Sequence, residues 1–191
     1  MSQSKQKVVV GLGKTGLSCA RFLLQQRVSV AVTDSRVQPP GLDHLLADYP
    51  DVTVSVGGFD VDLMEGAEEL VVSPGVSLKE SAIKKAIDSG VPAVGDIELF
   101  CRYLQKSGSR GHIVAITGSN AKSTVTTLVG DMIRQAGYSV IVAGNIGLPV
   151  MDVLLGGKSL ESVHVDFYVL ELSSFQLETT HTLNAFVATI L

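Results

Sequence analysis

The sequence predicts an α/β protein: a Rossmann-like domain with a parallel sheet, followed by the first part of a second α/β domain built around a P-loop-type phosphate loop. Three observations predict it. Short β-branched runs alternate with helix-length segments along the 191 residues. Two glycine-containing loops each stand between a strand-like run and a helix-like run. A polar cluster, Ser107-Gly108-Ser109-Arg110-Gly111, separates the two series as a linker.

In the first series, apolar runs predict strands near 7–11, 28–33, 52–56, 69–73 and 92–94. Periodic segments predict helices near 16–26, 43–48 and 79–89 between them. Gly90-Val91-Pro92 closes the last of these helices, and Gly95-Asp96 opens another over 97–106. After the linker the alternation restarts, with a strand over 112–117, a helix over 122–136 and a strand over 139–143. A short helix near 149–155, a strand over 165–171, a helical or turn segment near 174–180 and a strand over 185–191 follow. The sequence stops inside that strand, which leads us to expect a truncated second domain.

With 46% hydrophobic residues and a mean hydropathy of +0.34, the chain can bury a substantial core. A net charge of −4 and a pI near 5.5 argue against sequence-independent nucleic-acid binding, which needs a basic face. No signal-peptide pattern and no membrane-span-length apolar run occur, so a cytoplasmic protein without membrane insertion is expected. Cys19 and Cys101 fall in helix-like segments without ligand-like spacing and read as reduced, buried thiols. His44, His112, His164 and His181 form no metal-binding pattern.

Gly11-Leu12-Gly13-Lys14-Thr15-Gly16 fits G-x-G-x-x-G between the first strand and the first helix, and Asp34 ends the second strand. This is the dinucleotide fingerprint, with the helix N-terminus aimed at a pyrophosphate. It specifies a nucleotide diphosphate without specifying chemistry, so a nicotinamide- or flavin-dependent oxidoreductase fits it. The embedded Gly13-Lys14-Thr15 is not a second phosphate loop of the Lys-Ser/Thr kind, because the glycine that such a loop needs five residues earlier is Val8. Asp34-Ser35-Arg36 stands where such a sheet reads the far end of a nucleotide. Ser73-Pro74-Gly75 follows the fourth strand at the same sheet edge, either as an ordinary turn or as a ligand contact.

Thr117-Gly118-Ser119-Asn120-Ala121-Lys122-Ser123-Thr124 has the context of a phosphate loop: strand before, helix after, Lys and Ser at the helix start. The residue before the lysine is ordinarily glycine and is here Ala121. Position 116, where the long form has its first glycine, is isoleucine, so the loop is a shorter one beginning at Gly118. Glu171 ends a later apolar strand, and a carboxylate there is the usual companion of such a loop, holding Mg²⁺. Asn145, in Gly144-Asn145-Ile146-Gly147-Leu148-Pro149, follows another strand end and is a candidate ligand contact on that ground alone. A non-catalytic nucleotide-binding module also accommodates these features.

These motifs, with Gly95-Asp96-Ile97-Glu98-Leu99-Phe100, Lys122-Ser123-Thr124-Val125-Thr126-Thr127-Leu128 and Leu170-Glu171-Leu172-Ser173-Ser174-Phe175-Gln176-Leu177-Glu178, occur in an order that closely resembles the Mur ligases of peptidoglycan synthesis. The resemblance covers nearly the whole chain. It implies a UDP-substrate domain over 1–95, a connecting helix and linker over 96–111, and the front of a central ATPase domain over 112–191. A third domain and the remaining ligands would lie beyond Leu191, so this chain alone is expected to be inactive as a ligase.

The implied reaction is the ATP- and Mg²⁺-dependent addition of D-glutamate to UDP-N-acetylmuramoyl-L-alanine through an acyl phosphate, by a cytoplasmic monomer. The implied ATP site is Gly118, Ser119, Asn120, Ala121, Lys122, Ser123 and Thr124, with Lys122 and Glu171 catalytic and Ser123 and Glu171 on the metal. The implied UDP-substrate contacts are Gly13, Lys14, Thr15, Asp34, Ser35, Arg36, Ser73, Pro74 and Gly75. Asn145, Ser173 and Gln176 would lie nearer the pyrophosphate and muramoyl group.

Overall fold

In a computed structural model the protein is described over residues 6–155 and 165–191, so His164 lies outside the described residues. The chain divides into two units, Met1–Asp96 and Ile97–Leu191.

The first unit runs β1 (Lys7–Val10), α1 (Lys14–Gln25), β2 (Val30–Asp34), α2 (Leu42–Asp48), β3 (Thr53–Val56), α3 (Val61–Glu65), β4 (Glu69–Val72), α4 (Ser81–Asp88) and β5 (Ala93–Val94). Its sheet has the order β3-β2-β1-β4-β5, with every pair parallel. From β1 the chain steps outward through β2 to β3, then returns to place β4 on the other side of β1. The strand order therefore reverses between β1 and β4, and the loops leaving their C-terminal ends border a crevice.

The inner strands read as continuous apolar runs because both of their faces are covered. Val8, Val10, Ala31, Leu70 and Val72 pack with Met64, Ile83 and Ala86 from α3 and α4. On α1, Cys19, Ala20, Phe22 and Leu23 are buried, and Cys19 and Cys101 are both buried and not joined in a disulfide. Helix α1 begins two residues earlier than the periodicity predicts, which puts Lys14 and Thr15 in its first turn. The single turn α3 escapes the periodicity altogether. It is fixed locally, by the Asp60 carboxylate accepting from the Leu63 amide at 2.9 Å.

The second unit contains α5 (Asp96–Ser107), β6 (His112–Thr117), α6 (Lys122–Gln135), β7 (Val140–Gly144), α7 (Val150–Leu155), β8 (Phe167–Glu171), α8 (Ser174–Glu178) and β9 (Val187–Ile190). Its parallel sheet has the order β7-β8-β6-β9, so β8 inserts between two strands that precede it in sequence. Val114, Ile116 and Val169 form a core with Val125, Val129 and Ile133 of α6.

Helix α5 is tied into this unit. Phe100 meets the Tyr168 ring edge-on at 5.3 Å. The fully buried Glu98 accepts from the His181 and Thr182 amides at 2.7 and 2.8 Å, from the Thr182 hydroxyl, and from Arg102. Burial would raise the Glu98 pKa, but these donors together outweigh it and hold the carboxyl below its ordinary value. No described helix is long and apolar enough to cross a membrane.

Candidate functional site

Two groups of predicted residues come together, one in each unit. In the first unit a cleft of about 420 Å³ is lined by Gly11, Gly13, Lys14, Thr15, Asp34, Ser35, Arg36, Ser73, Pro74, Gly75 and Val76. All nine UDP-substrate candidates predicted for this unit are among them. Gly11, the first residue of the predicted glycine loop, and Val76, which adjoins Ser73-Pro74-Gly75, complete the lining.

The glycines have specific reasons. Gly11 has φ +89°, which favours glycine, and its carbonyl accepts from the Ser73 hydroxyl at 2.7 Å. A Cβ on Gly16 would lie 1.9 Å from the Gly11 carbonyl oxygen, so only glycine lets α1 come this close to β1. The N-cap of α1 is Gly13, no side chain caps the helix, and no acidic residue stands in its first turn. Its leading amides and the Lys14 ammonium thus make an electropositive wall suited to phosphate. Opposite, Ser73-Pro74-Gly75-Val76 closes a turn by the Val76 amide donating to the Ser73 carbonyl at 2.9 Å.

Asp34 is buried, and its oxygens are occupied. Oδ2 accepts from the Leu12 amide at 2.6 Å and from Arg36 Nη2 at 2.6 Å. Oδ1 accepts from the Arg36 amide at 2.8 Å and from Arg36 Nε at 2.9 Å. Burial would raise the Asp34 pKa, but the Arg36 side chain and the two amides hold it below the ordinary value. The same pairing raises the Arg36 pKa. In the dinucleotide fingerprint the equivalent acid accepts from a ribose hydroxyl. Here the carboxylate instead joins the glycine loop to β2 and holds the half-exposed Arg36 fork at the cleft.

In the second unit, β6 delivers Thr117 to the phosphate-type loop, where its hydroxyl donates to the Leu172 carbonyl at 2.8 Å. Gly118 has φ +142°, and a Cβ there would lie 2.2 Å from the Leu191 carbonyl oxygen. Ala121 is the N-cap of α6 with φ 60° and ψ 2°, a left-handed conformation that favours glycine. This is the conformation that the glycine ordinarily found before the lysine adopts without strain. Ser119, Asn120, Ser123 and Thr124 are exposed around the uncapped start of α6. The Lys122 ammonium donates to the Gly118 carbonyl at 2.8 Å, folded back across its own loop.

The register pairs Ile116 with Glu171 and Glu171 with Gly144, which sets the end of β8 beside the start of the loop. Glu171 is 1% exposed. Its Oε1 accepts from Asn145 Nδ2 at 2.7 Å, while Oε2 is buried with no hydrogen-bond partner among the described residues. Ser173 and Gln176 are engaged with each other. The Ser173 hydroxyl accepts from the Gln176 amide, and the Gln176 side chain accepts from the Ser173 amide, closing a capping box at α8. No group of three or more His, Cys, Asp or Glu side chains able to hold a metal occurs among the described residues. A cation at Glu171 would therefore take its other oxygens from hydroxyl groups, water or a nucleotide.

Comparison with known proteins gives these two sites a common context. Residues 5–95 match the family described as Mur ligase MurD-like, N-terminal domain. A UDP-N-acetylmuramoylalanine–D-glutamate ligase of Marinobacter nauticus is 54% identical over 98% of this chain, and one of Nitrosococcus oceani is 52% identical over 96%. The chain spans about 39% and 38% of the lengths of these two relatives. Among solved structures, the UDP-N-acetylmuramate:L-alanyl-gamma-D-glutamyl-meso-diaminopimelate ligase of Neisseria meningitides shares the fold. It matches 88% of this chain and 52% of its own at 15% identity, with a TM-score of 0.51. The chain belongs to the Mur ligase family.

Proposed function

We propose that this chain supplies the UDP-substrate cleft and the leading half of the ATP site of a ligase that joins D-glutamate to UDP-N-acetylmuramoyl-L-alanine. The observation that carries the first part is the convergence of nine candidate residues on one cleft at the switch point of the first sheet. Lys14 and the α1 amides suit a diphosphate, Ser73 lines the same cleft with its hydroxyl holding the Gly11 carbonyl, and Ser35 and Arg36 suit the uridine end. Asp34 serves by holding Arg36 and the Leu12 amide.

The second part rests on the 118–124 loop and Glu171. ATP would lie along the loop amides, with Lys122 leaving the Gly118 carbonyl to meet the β- and γ-phosphates. The orphaned Oε2 of Glu171 fits a hard divalent cation, and Ser123, exposed in the first turn of α6, would supply a hydroxyl to it. Mg²⁺ bound there would neutralise charge on the transferring phosphoryl group. These residues hold and orient; none is needed as a nucleophile in phosphorylating the substrate carboxylate or in attack by the D-glutamate amine. Asn145, Ser173 and Gln176 would lie nearer the pyrophosphate and muramoyl group, with the exposed Asn145 holding Glu171 through one N–H and keeping its carbonyl oxygen for substrate.

Thermal shift of this chain tests the reading. UDP should raise the melting temperature and NAD should not. Stabilisation by NAD and none by UDP would replace it with a dinucleotide-dependent enzyme.

A further inference from the structure

Of the two oxygens on Glu171, one is held and one is open, and the holder is Asn145. Its side-chain amide donates to Oε1 at 2.7 Å. Its main-chain amide donates to the Glu171 carbonyl at 2.9 Å. The turn that brings it there begins at Gly144, whose φ is +107° and where a Cβ would lie 2.3 Å from the Glu171 carbonyl oxygen. Gly144 and Glu171 are register partners on adjacent strands. Backbone and side chain of one residue thus grip both ends of the other.

The chemistry of the donor matters as much as its position. A lysine or arginine at this place would neutralise the buried carboxylate and compete with a cation for it. The asparagine amide is neutral: it fixes the side-chain torsion and leaves the negative charge available. Oε2, buried and without a hydrogen-bond partner among the described residues, is then the oxygen with both lone pairs open. A buried acceptor left in this state is costly unless something occupies it.

We propose that Asn145 is a positioning residue for a divalent cation: it locks Glu171 so that Oε2, and not Oε1, is the ligating oxygen. This rests on Glu171 being a cation ligand, and the sequence motif gave no sign of it, since the two residues are 26 positions apart and meet only because β8 lies beside β7.

The test uses Mn²⁺ as the probe, titrated into the 191-residue chain with a non-hydrolysable ATP analogue and followed by electron paramagnetic resonance. Glu171→Gln should abolish tight Mn²⁺ binding. Asn145→Ala should weaken it by roughly 10–100-fold, the usual cost of losing an outer-shell partner, while affinity for the metal-free analogue stays unchanged. Asn145→Ser, polar but too short to reach Oε1, should behave like Asn145→Ala and guards against a variant that misfolds. Normal Mn²⁺ affinity in both Asn145 variants, with loss in Glu171→Gln, would overturn the positioning role and leave the cation site standing. Normal affinity in Glu171→Gln would overturn both.

Discussion

Replacing Asp34 with asparagine probes the joint on which the first cleft depends. The carboxylate takes four hydrogen bonds, two from main-chain amides and two from the Arg36 guanidinium. An asparagine has one acceptor oxygen, so in either orientation its NH₂ group faces a donor, Leu12 N–H and Nη2 on one side or Arg36 N–H and Nε on the other. Hydrogen bonds to a charged group contribute about 1.5–3 kcal/mol each when buried, and a half-exposed arginine pair nearer 1 kcal/mol. Loss of one amide bond and loosening of the fork therefore cost about 2–3 kcal/mol. For a unit of this size that lowers the melting temperature by on the order of 10 °C. Freed from its fork, Arg36 should also bind UDP about tenfold more weakly, worth about 1.4 kcal/mol.

The pH dependence has a definite sign. The folded Asp34 pKa lies below its ordinary value, so its contribution is complete above the unfolded value of about 3.9 and is lost as pH falls through the folded pKa. The stability gap between wild type and Asp34→Asn should be constant at neutral pH and close in acid. Calorimetry across pH, with UDP titrations at neutral pH, measures both effects. A variant with native melting temperature and native UDP affinity would refute the reasoning.

Ala121→Gly removes a Cβ from a left-handed position, a relief of about 1–2 kcal/mol, against about 0.5–1 kcal/mol of added chain entropy. Denaturant melts should show a net gain of up to about 1.5 kcal/mol, and a loss would mean that the methyl packs favourably. Gly16→Ala should go the other way: its Cβ would sit 1.9 Å from a backbone oxygen with no flexible neighbour to yield. Displacing α1 from β1 should weaken UDP binding at least tenfold by calorimetry, and unchanged affinity would show that the glycine loop is not the phosphate wall.

The alternation of strands and helices was legible because inner parallel strands are apolar throughout and helices repeat every few residues. Both glycine-containing loops between strand and helix were legible because glycine and lysine spacing carries a geometric demand on its own. What escaped depends on tertiary arrangement or on very short elements. Helix α3 is one turn, too short for periodicity to register, and only Asp60 as an N-cap announces it. Ser173 and Gln176 carry a readable Ser-x-x-Gln capping signature, whereas their place as ligand contacts came from the family resemblance and not from their spacing. Asp34-Ser35-Arg36 at a strand end suggested a group that reads the far end of a nucleotide. The saturation of Asp34 by Arg36 and Leu12 depends on side-chain direction, which spacing does not encode. The insertion of β8 between β7 and β6 joins Asn145 to Glu171, and sequence order alone gives no sign of that.

Hydrogen exchange on this chain, measured separately with UDP and with Mg²⁺ plus ATP, tests most directly whether it carries two distinct nucleotide sites. UDP should protect amides in 11–16, 34–36 and 73–76 and leave 117–124 unchanged, whereas Mg²⁺ plus ATP should protect 117–124 and leave the first set unchanged. Protection of the same segment by both ligands, or of 11–16 by NAD and not by UDP, would contradict the account.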